Sequence, residues 1–241
     1  MKFKLEAIGF TIDSCLAAQV AGADRIELCD NPADGGTTPS YGFIKAASQL
    51  LHIDLFPIVR PRGGDFLYST AEFEVMKSDV EICKDLGCEG VVFGILNADG
   101  TVDKKRCSIL AEIAYPLSIT FHRAFDRTAD PFKAMEDIIE IGCERILTSG
   151  QKATALEGSD MISKLIEQAD ERIVIMPGSG IRSDNITEIA QRTKAVEFHT
   201  SARMMTGSKM KFMSSTLKEN SESVFLDEQE IKNIISALKN I

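Results

Sequence analysis

One junction, written three times, does most to limit what this chain can fold into. It occurs as Gly22-Ala23-Asp24-Arg25-Ile26-Glu27-Leu28, as Gly87-Cys88-Glu89-Gly90-Val91-Val92-Phe93 and as Gly142-Cys143-Glu144-Arg145-Ile146-Leu147-Thr148. In each copy a glycine ends an amphipathic helix, because glycine enters the left-handed conformation of a helix stop without steric cost. A small residue and an acid follow, and then a short apolar run begins. Such near-continuous apolar strands suit a parallel sheet covered on both faces.

Reading outward from these anchors predicts eight strands, near Lys4–Ile8, Arg25–Cys29, Leu55–Val59, Gly90–Phe93, Ser118–Phe121, Arg145–Thr148, Ile173–Met176 and Ala195–Phe198. Helical patterns separate them. Ser69 with Glu72 forms a capping-box signature for a helix running to Leu86. Asp130-Pro131 supplies an N-cap and a first-turn proline, with Phe132, Met135, Ile138 and Ile139 on one face. Strand–helix alternation repeated eight times predicts a (β/α)8 TIM barrel, with an open doubly wound sheet as the alternative. The length of 241 residues fits one barrel domain spanning 1–241. A segment at about 200–226 lacks periodicity and is expected to be loose. Asp227 and Glu230 then open a terminal helix at about 227–239, with Ile231, Ile234, Ile235 and Leu238 inward.

Composition narrows the partners. A net charge of −9 argues against nucleic acid, whose binders carry a basic face. A locally positive pocket for a small anion is still compatible with it. No run approaches the roughly 18 apolar residues of a membrane span, and Met1-Lys2-Phe3-Lys4 leads into no apolar signal core. The six cysteines, Cys15, Cys29, Cys83, Cys88, Cys107 and Cys143, form no CxxC pair. They fit reduced, buried thiols in a cytoplasmic protein.

In a barrel, function sits on the C-terminal ends of strands and the loops that follow. Side chains alternate along a strand with period two. Glu27 therefore shares a face with Cys29, Glu6 with Ile8, Ile58 with Arg60, Thr120 with His122, and Glu197 with His199. If these faces point inward, acids, two imidazoles and an arginine converge on one opening, suited to acid–base chemistry or a divalent metal. Structural pairing of Glu6, Glu27 and Glu197 with arginines is the competing account. His52 is expected to be structural or on the surface.

Five loops carry anion-binding features. Arg60-Pro61-Arg62-Gly63-Gly64-Asp65 offers two guanidinium forks on a chain that can approach a ligand closely, and Asp34-Gly35-Gly36-Thr37-Thr38-Pro39-Ser40 is similar in style. Pro177-Gly178-Ser179-Gly180-Ile181 and Thr200-Ser201-Ala202 follow the seventh and eighth strands, where barrels often bind phosphate on backbone amides. Thr148-Ser149-Gly150-Gln151-Lys152 adds hydroxyl and ammonium donors. Turn formation alone would also explain the glycines. Met204, Met205, Met210 and Met213 could offer thioethers to Cu(I), but covering apolar surface is their commoner use.

The runs Gly22 to Cys29, Arg60 to Phe66, Thr120-Phe121-His122-Arg123-Ala124-Phe125-Asp126, Leu147-Thr148-Ser149-Gly150 and Glu197-Phe198-His199 together resemble the CutC family, the copper homeostasis proteins. The resemblance runs from the first strand to about Phe212. It implies a barrel, a cytoplasmic setting, self-association into a homo-oligomer, and copper handling with Cu(I) bound by cysteines. Cys29 matches the cysteine closing the second strand and is the candidate metal ligand. The first-strand position that is often cysteine in the family is Ile8 here, so a two-thiolate site lacks one ligand, and Cys15 cannot be assumed to replace it. One thiolate is a poor copper site without Met, His or a partner subunit.

Two function classes follow, and whether the chain is an enzyme stays open between them. One is a copper-binding homeostasis protein using Cys29. The other is an enzyme on a small anionic or phosphorylated metabolite. In it Glu27 and His122 exchange protons, Arg60 and Arg62 hold the anion, and Ser149, Gly178, Gly180 and Ser201 line its seat. No organic cofactor is evident. A non-catalytic interaction protein would leave the convergent charges unexplained.

Overall fold

The computed structural model describes residues 3–212, 214, 216 and 222–241; Met213 lies outside them. The first strand, β1 (Lys4–Gly9), has two parallel neighbours, β2 (Arg25–Leu28) and β8 (Glu197–Thr200). Pairing of the first strand with the last closes the ring and removes the open sheet. Next to β2 lies β3 (Asp54–Pro57), and β4 (Gly90–Phe93), β5 (Ser118–Phe121), β6 (Arg145–Thr148) and β7 (Val174–Pro177) follow in sequence order. Ile58 bridges to Val92 across the β3–β4 seam, while β7 and β8 lie side by side. The chain is a TIM barrel.

The outer layer comprises α1 (Ile12–Ala21), α2 (Tyr41–Leu50), α3 (Thr70–Asp85), α4 (Lys104–Ala114), α5 (Pro131–Ile141), α6 (Ser159–Ala169), α7 (Ile186–Thr193) and α8 (Glu228–Lys239). Their ends are set locally. Ser69 and Glu72 make the reciprocal capping box of α3, Asp130 accepts from the Phe132 and Lys133 amides at the start of α5, and Asp227 caps α8. Gly22 and Gly142 stop α1 and α5 at φ 100° and 93°. After β8 an antiparallel hairpin forms from β9 (Arg203–Thr206) and β10 (Ser223–Leu226), and it leaves Met204 and Met205 exposed.

The main core lies between sheet and helices, where Leu5, Ile26, Leu55, Phe93, Phe121 and Phe198 face outward from the strands. The barrel lumen is different. Branched apolar layers usually fill it, but here Glu6, Arg25, Thr120, Arg145 and Glu197 are buried inside. Above them sits a small apolar group of Ile8, Cys29, Phe56, Ile58 and Val92. Gly90 is required by this filling, since a Cβ there would come within 2.4 Å of the Phe56 ring.

Candidate active site at the barrel mouth

The lumen charges form one connected network. Arg25 Nη1 donates to Glu6 at 3.2 Å and to Glu197 at 3.0 Å; Arg145 Nε donates to Glu197 at 2.8 Å and its Nη1 to Thr120 Oγ1 at 3.3 Å. Phe56 packs its ring beneath both guanidiniums, at 4.7 and 5.6 Å. Toward the mouth, Glu6 Oε1 lies 2.7 Å from His199 Nδ1, and His199 Nε2 is 3.8 Å from Glu27 Oε2. Parallel register makes this possible, because Glu6 pairs with His199 across β1–β8 while Ile8 pairs with Glu27 across β1–β2.

Electrostatics separate the roles of these groups. Burial pushes the Glu27 carboxyl up to about 7; His199 pulls it down and Glu6 raises it further. Burial acts against ionisation of Glu6, but the His199 hydrogen bond and the His199, Arg25 and Arg145 charges together hold it below the usual carboxylate range. His199 is opposed by burial and raised overall by Glu6 and Glu27. A proton passing between Glu27 and His199 therefore leaves the net charge of the lumen unchanged.

A cavity of about 220 Å³ opens above this pair, with Glu27, His122, Arg123, Gly180, His199 and Arg203 among its lining. His122 follows β5, and its Nδ1 accepts the Ala124 amide at 3.2 Å, which leaves the proton on Nε2. Burial, with the Arg60 charge, lowers its pKa to about 3, so the ring is neutral. Its buried Nε2 has no partner among the described residues. Gly94 makes room for this ring, since a Cβ there would meet Nδ1 at 2.7 Å. The amides of Ser179, Gly180 and Ser201, on the loops after β7 and β8, have no acceptor among the described residues.

Of the residues singled out from sequence, Glu27, Arg60, His122, Gly180 and Ser201 line this cavity. Gly178 lies just behind, where a Cβ would meet Leu147 at 2.4 Å. The Arg60 fork is spent on the loops themselves, donating to the carbonyls of Asp34 (2.7 Å), Gly36 (2.7 Å) and Gly64 (3.0 Å). Arg62 sits away from the cavity, bound to Glu72 at 2.5 Å and to Asp65 at 2.9 Å. Ser149 stands behind the lining, accepting from Arg123 at 2.9 Å and donating to Asp126 at 3.0 Å. Cys29 is fully buried beneath Gly36, and burial with the adjacent Glu27 carboxyl keeps its thiol protonated.

Sequence reasoning placed His199 and Glu6 on the converging face without giving either a role of its own; it named Arg123 among the anion-binding donors and Ser179 within the loop after the seventh strand, and it gave no role to Arg203. For His199 the signal was present, in the alternation Glu197-Phe198-His199 at a strand end. Arg203 carries no such signal, because its approach to the cavity is set by the path of the chain after β8.

The match to known proteins covers most of the fold. The CutC family model matches residues 3–204. The chain belongs to the CutC family. It is 51% identical over 208 residues to the family protein CutC of Chromobacterium violaceum, covering 86% of this chain and 84% of that protein. It is 48% identical over 215 residues to the human copper homeostasis protein cutC homolog, covering 89% of this chain and 79% of the human protein. The crystal structure of the Streptococcus agalactiae CutC protein superimposes with a TM-score of 0.79 at 34% identity, covering 83% of this chain and 98% of that one. CutC family members thus share this barrel over the strands that build the mouth.

Proposed function

We propose that this CutC barrel is an enzyme that moves a proton on a small anionic metabolite bound at its mouth. The observation carrying the reading is the arrangement of His199, fixed by Glu6 on Nδ1 and presenting Nε2 toward Glu27 at the cavity floor. A carboxylate that orients an imidazole in this way makes it an effective acid–base group. In this reading Glu27 and His199 exchange the proton, Arg123 and Arg203 draw in the anion, and the Ser179, Gly180 and Ser201 amides receive it. Arg60 acts as a positioning residue that ties the loops after β2 and β3 together. Cytoplasmic work fits the free state of all six thiols. Self-association fits the exposed Met204, Met205 and Phe212 beyond β8.

A second reading takes a copper ion as cargo, in keeping with the name of the human relative. Cu(I) at Cys29 fits poorly: the thiol is single, protonated and enclosed by Ile8, Phe56, Ile58 and Val92. The donor atoms of Glu6, Glu27 and His199 lie within 4.8 Å of one another, and that grouping favours a divalent ion such as Cu(II).

One experiment separates the two. Small phosphorylated and carboxylated metabolites are screened by thermal shift, and those that bind are followed in D2O by proton NMR. Under the enzyme reading a bound metabolite exchanges a C–H proton, and Glu27→Gln slows exchange by about 10²–10⁴-fold while still binding. Absence of any stabilising anion, or exchange indifferent to Glu27→Gln, would sink it. Equilibrium dialysis against Cu(II) with the same variant supports the cargo reading if affinity collapses and removes it if affinity is unchanged.

A further inference from the structure

The enzyme reading leaves one feature of the cavity unused. His122 is neutral, its tautomer is fixed by the Ala124 amide, and it presents a buried N–H with no acceptor. A buried donor without a partner is costly, and this ring is a poor base, because its only lone pair already accepts the Ala124 amide. It can donate. A neutral imidazole of lowered pKa that polarises a substrate oxygen is a known arrangement in proton-abstracting barrels.

Three further observations narrow the ligand. The wall that carries His122 also holds Phe66, whose ring centre is 4.8 Å from the imidazole, so the donor has an aromatic face beside it and no competing acceptor among the described residues. The amides of Ser179, Gly180 and Ser201, on loops distinct from the one carrying His122, line the cavity and have no acceptor among the described residues, which suits them to an anion. The cavity holds about 220 Å³, below the roughly 300–1,000 Å³ of ordinary ligand pockets and close to the space of about seven water molecules at ~30 Å³ each. No lysine lines the cavity among the described residues, so imine formation with a carbonyl has no amine to start from.

Building on the proton-transfer reading, we propose that the substrate is a short α-hydroxycarbonyl phosphate. Its carbonyl oxygen accepts from His122 Nε2, its phosphate rests on the Ser179, Gly180 and Ser201 amides, and the reaction is a 1,2-isomerisation. The balance is internal. The Glu27 carboxylate takes the proton from the hydroxyl-bearing carbon, and that C–H electron pair becomes the C=C bond. The C=O pair moves onto oxygen, giving an enediolate held by the His122 N–H. The proton returns from Glu27 to the neighbouring carbon, and the hydroxyl proton ends on the former carbonyl oxygen. No oxidant, reductant or second substrate is consumed. His122 is then a catalytic residue of the electrophilic kind, and it limits the substrate to molecules with a carbonyl next to the abstracted proton.

The test uses the full-length protein and two probes: inorganic phosphate, and phosphoglycolohydroxamate, a planar mimic of a phosphorylated enediolate. Calorimetric titration should show the hydroxamate binding at least about ten-fold more tightly than phosphate. His122→Ala should remove most of that advantage and leave phosphate affinity unchanged, and His122→Gln, which keeps an N–H donor, should restore part of it. Retained phosphate binding also certifies that each variant is folded. A hydroxamate that binds no better than phosphate overturns this inference alone, as does an advantage that survives His122→Ala. Failure of both probes to bind removes the phosphate seat and this inference with it, while the proton-transfer reading stands or falls on the wider screen of phosphorylated and carboxylated metabolites.

Discussion

Glu27 is ionised at a cost to the fold. Burial raises its pKa from 4.5 to about 7, so the native state holds this proton more tightly than the unfolded chain does. The contribution of the protonated carboxyl is therefore fully present below about pH 4.5 and is lost as pH rises through about 7. At about 1.4 kcal/mol per pKa unit, the native state gives up on the order of 3 kcal/mol by pH 8. Glu27→Gln should accordingly match the natural protein near pH 5 and exceed it by up to a few kcal/mol at pH 8 in urea unfolding. A gain that is the same at both pH values would show that the carboxylate is not the cause. Period-two alternation made Glu27 legible from sequence. The opposite fates of the two mouth histidines were not legible, because they depend on whether Nδ1 meets a carboxylate, as in His199, or an amide, as in His122.

Among the elements, the loops after β5 and β6 are organised by one carboxylate. Asp126 accepts from Arg123 Nε (2.8 Å), Thr148 Oγ1 (2.5 Å), the Ser149 amide (3.0 Å) and the Gln151 amide (3.1 Å). It thus holds the rim arginine against the loop that carries Ser149. Asp126→Ala leaves these donors without their shared acceptor and frees Arg123 to move. Binding of inorganic phosphate should weaken by about ten-fold, from loss of a positioned charge-assisted contact, with far-ultraviolet circular dichroism unchanged. Undiminished phosphate affinity would show that Arg123 needs no such support. The motif His122-Arg123-Ala124-Phe125-Asp126 drew notice in the sequence, yet nothing in it discloses that Asp126 reaches across to the following loop. The arginine-rich loop after β3 shows the same limit. Arg60 and Arg62 look alike in the sequence, yet one fork is enclosed by carbonyls and the other caps the α3 capping box through Glu72.

For the molecule as a whole, the lumen is held by charge where most barrels use branched aliphatics. Arg25 joins Glu6 to Glu197, and with Arg145 it makes two positive charges for those two negative ones. Removing one partner strands buried charge at a typical cost of about 3–5 kcal/mol. Arg25→Met should therefore destabilise the protein by that amount in chemical denaturation, and the double variant Arg25→Met, Glu6→Gln, which leaves Arg145 paired with Glu197, should recover part of it. No recovery would mean that packing on Phe56, and not ion pairing, is what Arg25 supplies. The barrel itself was legible in the repeated helix-stop junction, which fixes where each strand begins. The charged filling was only half legible, since Arg25 and Arg145 open strands and look like solvated ends until ring closure buries them. The same closure governs the thiols. All six are buried and form no disulfide, five in the main core and Cys29 in the small apolar group of the lumen. The folded surface consequently presents no native site to a maleimide dye, and a cysteine introduced on the rim, at Arg203 for instance, becomes a selective attachment point for a fluorophore or spin label that reports on the mouth.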